Sequence, residues 1–97
     1  MRVETRFYAF LREATGVERD FFELEEKATV GDLLRAIAAR YERLAGLVFE
    51  EVPRLKRGFA LALNGENIEL DKMNEIRLKE GDTVVILPPI AGGLFVK

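Results

Sequence analysis

The sequence predicts an α+β fold in which one main helix packs on one face of a mixed β-sheet. Residues 2–9 and 58–63 show strand-like alternation, and one long amphipathic helical pattern lies between them. No second helical pattern of comparable length is present. With 97 residues, of which 48% are hydrophobic, the chain suits one domain with one core.

The N-terminal third predicts a strand, a short helix and a second strand. Val3, Thr5, Phe7 and Ala9 alternate with three charged residues and Tyr8 from residue 2 to residue 9, which is the period-two pattern of a half-buried strand. Residues 10–16 contain good helix formers and end at Gly16, a favourable helix C-cap. A second strand follows around residues 21–24, where Phe22 and Leu24 share a face and are core candidates.

The clearest helix begins at Thr29, because Thr29 and Asp32 have the spacing of a capping box. Apolar residues at helical spacing continue to Leu44, and Gly46 is expected to end the helix. We predict that residues 47–57 form a partly buried loop with a short helical turn.

The last third predicts the remaining strands and a tail. Residues 58–63 form a strand that ends in the turn signal Asn64-Gly65, and a short return strand follows near Ile68 and Leu70. Residues 83–87 form the final strand, which lies beside the first. We therefore divide the chain into a domain over 1–87 and a flexible C-terminal tail over 88–97. A ferredoxin-like fold needs a second long helix, so a ubiquitin-like roll is preferred.

Composition excludes several classes of function. Fifteen basic and 17 acidic residues are interspersed, so no basic stripe favours nucleic-acid binding. No long apolar run or basic leader predicts a membrane segment or export, and the expected location is the cytoplasm. The sequence contains no Cys and no His, which removes thiol nucleophiles, imidazole bases and the usual zinc ligands. We expect no bound cofactor or metal.

Several motifs, taken in order, resemble the MoaD family of molybdopterin synthase small subunits. The resemblance runs from Val3 to Gly93 and is weakest over residues 44–57. Its motifs are Phe7-Tyr8-Ala9-Phe10-Leu11-Arg12-Glu13 with Gly16, Thr29-Val30 with Leu33, Leu63-Asn64-Gly65, Leu78 with Gly81-Asp82 and Val84, and Pro88-Pro89-Ile90-Ala91-Gly92-Gly93.

The resemblance implies a ubiquitin-like β-grasp roll that carries sulfur for molybdenum or tungsten cofactor synthesis. In that family a MoeB-like adenylating enzyme uses ATP to activate the carboxylate of the C-terminal glycine, and sulfur transfer then gives a thiocarboxylate. The tail next enters the MoaE-like large subunit of molybdopterin synthase. On this interpretation Gly93 carries the acyl group, Gly92 forms a slender neck, and the catalytic side chains belong to the partners.

The sequence departs from the family pattern after Gly93. Leu94-Phe95-Val96-Lys97 follow, so the Gly93 carbonyl lies in a peptide bond and has no carboxylate to activate. A processing peptidase that removes these residues is therefore a further expected partner. Three alternatives stay open: a ubiquitin-like modifier attached through Gly93 to target lysines, a non-conjugating interaction domain, and a sulfur carrier for thiazole synthesis. The Pro88-Pro89 pair favours the molybdopterin type over the last of these.

Strand alternation also predicts a docking surface. It places Val3, Phe7, Leu61, Leu63, Val84 and Ile86 under the helix. The opposite face then presents the docking patch, which consists of Tyr8, Ala60, Ala62, Val85 and Leu87. This patch is apolar, and exposed apolar patches usually mark interfaces. The resemblance adds Arg12, and the tail residues Pro88, Pro89 and Ile90 complete the predicted partner-binding set. The alternative is that residues 44–57 fold over the patch.

Overall fold

A computed structural model describes residues 1–89, and residues 90–97 lie outside this described part. Five strands form one mixed sheet in the order β2 (Arg19–Glu23), β1 (Arg2–Arg6), β7 (Thr83–Leu87), β5 (Ala60–Leu63) and β6 (Glu66–Ile68). The first and last strands are parallel, and the other neighbours are antiparallel. This topology confirms the predicted α+β roll, with the last strand at its centre.

The main helix, α2 (Val30–Arg40), begins where the sequence predicts. The Thr29 hydroxyl accepts from the Asp32 backbone N–H at 3.2 Å, and the Asp32 carboxylate accepts from the Thr29 backbone N–H at 2.9 Å. This reciprocal pair satisfies two donors of the first helical turn. Val30, Leu33, Leu34 and Ile37 of this helix are fully buried.

The end of the helical region differs from the prediction. The helix stops at Tyr41, and a separate helix α3 (Glu42–Val48) runs through Gly46, which was expected to end the pattern. The Tyr41 hydroxyl donates to the Asp20 carboxylate, and Arg40 Nη1 lies 3.0 Å from the same carboxylate. These contacts tie the break between the two helices to β2.

Residues 47–57 are more ordered than the predicted loop. After α3 they form a small hairpin of β3 (Phe49–Glu51) and β4 (Arg54–Leu55), with a cis peptide bond between Val52 and Pro53. Leu44, Val48, Phe49 and Leu55 all join the main core. The alternative in which this segment folds over the docking patch is therefore wrong.

Smaller elements agree with the prediction in type and differ in length. The first strand ends at Arg6, three residues before its predicted end, and Ala9 is exposed. The short helix α1 (Phe10–Thr15) ends at Gly16 as predicted. Strand β5 begins two residues later than predicted, and Leu70 lies in a 3₁₀ turn (Leu70–Lys72) after the return strand.

The core lies between the sheet and the helices. Five of the six residues predicted to lie under the helix are at most 1% exposed: Val3, Phe7, Leu61, Val84 and Ile86. Phe22 is also buried, whereas Leu63 and Leu24 are only partly buried and pack at the margin of the core.

Candidate docking face and tail root

The sheet face opposite the helices, here called the open face, brings most of the docking patch together. In the antiparallel pairing of β5 with β7, Ala60 lies opposite Leu87 and Ala62 lies opposite Val85. Val85 is also the parallel partner of Arg6 in β1. Ala60, Val85 and Leu87 are partly buried, so their side chains retain accessible apolar surface next to the point where the chain leaves the sheet.

Ala62 does not offer a docking contact of its own. It is only 7% exposed, although strand alternation places it on the open face. Its cross-strand partners, Val85 and Asn67, both carry larger side chains than its own methyl group. The alternation along the strand assigned Ala62 to the correct face but could not predict its low exposure.

Tyr8 stands at the edge of the patch on a strained turn. Its side chain is 45% exposed and lines a shallow pocket of about 310 Å³ together with Arg6 and Val85. The following residue, Ala9, has φ 53° and ψ −135°, a conformation that residues with a Cβ rarely adopt. A bond from the Leu11 N–H to the Tyr8 carbonyl, at 3.0 Å, closes the turn.

The same turn presents a second aromatic residue that the sequence did not identify as part of the site. Phe10 is 43% exposed and packs edge-to-face on Phe59, with 6.4 Å between ring centroids. Phe59 directly precedes β5, so this aromatic pair lies beside the start of the tail. Sequence periodicity assigned Phe10 only to the short helix.

A charged margin borders the patch on the β1 side. The guanidinium groups of Arg6 and Arg19 lie 3.3 and 3.4 Å from the Glu4 carboxylate. Burial acts to raise the pKa of Glu4, but hydrogen bonds from Thr83 and Arg6 outweigh it and lower the pKa overall. Glu4 therefore remains ionised and holds both arginines on the open face.

Arg12, the remaining residue predicted from the resemblance, lies on the same margin. Its side chain is about half exposed and pairs with Glu18 at 3.1 Å. Together with Tyr8, Arg6 and Arg19 it lines a surface pocket of about 280 Å³. The structure therefore brings Arg12 beside Tyr8, as predicted, but within a cationic border that flanks the apolar patch.

The tail root, defined as Pro88 and Pro89, leaves the sheet from its central strand. Pro88 is partly buried and Pro89 is exposed. Pro89 packs directly over Gly58, which has φ +95°. The predicted site residues Ile90, Gly92 and Gly93 lie outside the described residues.

Two further observations concern residues 1–89 as a whole. Within this range no group of three or more His, Cys, Asp or Glu side chains has an arrangement that could hold a metal ion. No helix in the same range has the length and apolar character needed to cross a membrane.

Comparison with known proteins identifies the family. The sequence model of the ThiS family matches residues 5–93. The chain belongs to the ThiS family. The match covers both the described domain and the Gly92-Gly93 pair.

Two relatives of this ThiS-family chain have names that indicate different functions. It is 39% identical to small archaeal modifier protein 3 of Haloferax volcanii, over 96% of this chain and 100% of that protein. It is 32% identical to the molybdopterin synthase sulfur carrier subunit of Chlamydomonas reinhardtii, again over 96% and 100% of the two chains.

Solved structures support the same assignment. The crystal structure of SAMP1 from Haloferax volcanii matches with a TM-score of 0.83 and 28% identity, over 96% of this chain and 100% of that one. A complex of subunits 1 and 2 of the molybdopterin-converting factor from Helicobacter pylori contains a chain that matches with a TM-score of 0.62 and 29% identity, over 96% and 100%. The predicted ubiquitin-like β-grasp fold and the MoaD-like resemblance are thus confirmed.

Proposed function

We propose that this protein is a sulfur carrier for molybdopterin or tungstopterin synthesis, activated at Gly93 after residues 94–97 have been removed. The observation that carries the proposal is the family match across residues 5–93, which ends on the second glycine. A relative named as a sulfur carrier subunit supports the pathway, and the Helicobacter pylori complex supports a large-subunit partner.

The proposed chemistry takes place on the tail and within partner proteins. Cleavage of the Gly93-Leu94 peptide bond gives a carboxylate, which attacks the α-phosphorus of ATP in a MoeB-like enzyme and displaces pyrophosphate. Hydrosulfide, supplied by a sulfur-donating partner, then attacks the acyl carbon and displaces AMP, which leaves a thiocarboxylate on Gly93. A MoaE-like large subunit receives this sulfur and transfers it to the pterin precursor.

The described domain suits this role because it provides docking surface and direction rather than catalytic groups. The docking patch lies on the open face beside the tail root, Phe10 packs on Phe59 next to the start of β5, and the arginine-rich margin borders the patch along β1. Apolar contacts of this kind supply affinity, while the charged border orients the encounter. A partner bound to the open face would meet the tail as it emerges from the central strand.

A second function is favoured by the 39% identity to a small archaeal modifier protein. In this role Gly93, after the same cleavage and adenylation, forms an amide bond with a lysine of a target protein and releases AMP. The two functions share their first two steps and differ in the group that attacks the acyl-adenylate.

Mass spectrometry of trimmed and untrimmed protein tests the proposal. A chain ending at Gly93 should form the acyl-adenylate and then the thiocarboxylate with its cognate activating enzyme and ATP, whereas the 97-residue chain should not. Equal activity of the two chains, with Lys97 still attached afterwards, would contradict the trimming step. Gly-Gly remnants on lysines of cellular proteins, without any thiocarboxylate, would favour the modifier function.

A further inference from the structure

The contact between Gly58 and Pro89 joins the tail root to the loop that precedes β5. A Cβ atom placed on Gly58 would lie 3.1 Å from Pro89 Cβ and 3.4 Å from Pro89 Cγ. Ordinary van der Waals contact begins near the longer of these distances. The proline ring therefore occupies space that is open only because residue 58 has no side chain.

Three other glycines among the described residues also have positive φ, and they make no comparable contact. Gly16, Gly65 and Gly81 have φ of +80°, +87° and +84°, and a Cβ atom on any of them would meet nothing within 4 Å. At these three positions, only the positive φ favours glycine. At Gly58, both the positive φ and the close contact with the Pro89 ring favour glycine.

The Gly58 loop is fixed relative to the strand that carries the tail. The Phe59 side chain is buried, and the next residue, Ala60, pairs with Leu87 across the sheet. Phe59 also packs against Phe10. Because Leu87 immediately precedes the two prolines, this pairing places the Gly58 loop beside the tail root.

We propose that Gly58 is a positioning residue that sets the direction in which the tail leaves the sheet. Its role is to let Pro89 seat against the domain so that the following residues start from a fixed point and angle. This inference rests on the proposed function, because the direction matters only if the tail must enter a partner's active site.

The expected consequence of a methyl group at this position follows from the geometry. Contact at 3.1 Å requires Pro89 to shift by a few tenths of an ångström. A change in the position or angle at which the chain leaves Pro89 alters where the tail presents its reacting carboxylate to a partner. Misplacement of a reacting group by about 1 Å can lower a rate by about 100-fold.

The test compares Gly58→Ala with Gly81→Ala in chains that end at Gly93. Both changes impose alanine on a similar positive φ, but only the first meets the tail. Gly81 precedes the opposite end of β7 from the tail root. We expect Gly58→Ala to lower kcat/KM for adenylation at least tenfold relative to Gly81→Ala, at a temperature where both variants are folded. Equal losses in the two variants would overturn the inference.

A Pro89→Gly background provides a rescue test, because glycine removes the ring atoms that the new methyl group would meet. In this background Gly58→Ala and Gly81→Ala should have equal effects on kcat/KM. The same four-variant comparison of midpoints in urea provides a readout that needs no partner. In the chain with Pro89, Gly58→Ala should lower the urea midpoint more than Gly81→Ala does. In the Pro89→Gly background, the two changes should lower the midpoint equally.

The outcomes separate the inference from the function on which it rests. If the chain ending at Gly93 with Gly58 intact forms no adenylate, the proposed function fails, while the urea comparison still tests the seating of Pro89. If that chain is active and the extra loss from Gly58→Ala persists in the Pro89→Gly background, the positioning role is wrong.

Discussion

Thr5 tests how much a buried hydroxyl group without a hydrogen-bond partner costs the folded protein. It lies in β1 between its cross-strand partners Asp20 and Val84, and it is 0% exposed. Its hydroxyl oxygen has no hydrogen-bond partner among the described residues. Burial of an unpaired hydroxyl costs roughly 1–3 kcal/mol in mutational data, and valine has nearly the same shape. Thr5→Val should therefore raise the free energy of unfolding by about 1 kcal/mol.

The measurement is a urea or thermal unfolding curve of Thr5→Val against the unmodified protein. For a domain of this size, about 1 kcal/mol corresponds to a rise of roughly 4–8 °C in Tm. Thr83→Val is the matched control, since the Thr83 hydroxyl donates to the Glu4 carboxylate at 3.0 Å. That variant loses a charge-assisted hydrogen bond and should be destabilised by about 1 kcal/mol.

The two changes are chemically identical and lie on adjacent strands, so opposite signs would demonstrate that hydrogen bonding of the hydroxyl decides the effect. A fall in stability on Thr5→Val, of the same size as that for Thr83→Val, would refute the reasoning. It would mean that the Thr5 hydroxyl is satisfied within the folded protein.

Three further predictions concern the docking patch, the tail and the pH dependence of stability. Leu87→Glu should weaken binding to the large subunit or the activating enzyme by about 2 kcal/mol or more, roughly 30-fold, without unfolding the domain. Leu47→Glu, at an exposed apolar residue of α3 away from the open face, is its control. Unchanged affinity for Leu87→Glu in a titration would contradict the docking role. Gly92→Val and Gly93→Val in the trimmed chain should abolish sulfur transfer with no change in Tm, whereas a parallel fall in Tm would assign the glycines a structural role. Burial and the hydrogen bond to Asp20 raise the pKa of Tyr41 from 10.0 to about 12. The folded state therefore holds this proton more tightly than the unfolded state, and the free energy of unfolding should fall as the pH rises from 10 to 12. In urea unfolding, this fall should be larger in the unmodified protein than in Tyr41→Phe by on the order of 1 kcal/mol.

The parts of the fold that follow from local patterns were predictable from the sequence. The Thr29 capping box, the Gly16 C-cap and the Asn64-Gly65 turn all occur where the residues indicate them. Each depends on hydrogen bonds or dihedral angles within a few residues, so the local sequence contains most of the information needed.

The errors arose where long-range contacts override local preference. Gly46 is helical because α3 is held by packing against α1 and α2 and by burial of Leu44 and Val48 in the core. The break before it, at Tyr41, depends on a contact with Asp20 on a distant strand. Neither effect is visible in a window of helical periodicity.

The docking patch was predictable as a face but not as a set of accessible atoms. Period-two alternation assigns side chains to the two faces of a strand, and it placed Val85 and Leu87 on the open face correctly. Exposure depends in addition on neighbours across the sheet, which is why Ala62 is sheltered. Phe10 and Gly58 were missed because their roles depend on contacts with Phe59 and Pro89, which lie far away in sequence.

The architecture of the open face suits a protein that must bind several partners in succession. On the proposed function the carrier has to leave its activating enzyme before it can deliver sulfur to the synthase, so neither complex can be permanent. A patch of four residues, Tyr8, Ala60, Val85 and Leu87, is bordered by arginines already paired with carboxylates. Obligate interfaces, in contrast, are large and predominantly apolar. On the proposed function, further affinity is expected from the tail, whose entry into a partner would add backbone contacts that end when the reacted tail withdraws. Placing the tail root beside this small patch, on the central strand, makes binding depend on both elements together. On the proposed function, we therefore expect each partner to hold the carrier firmly only while the tail occupies its active site.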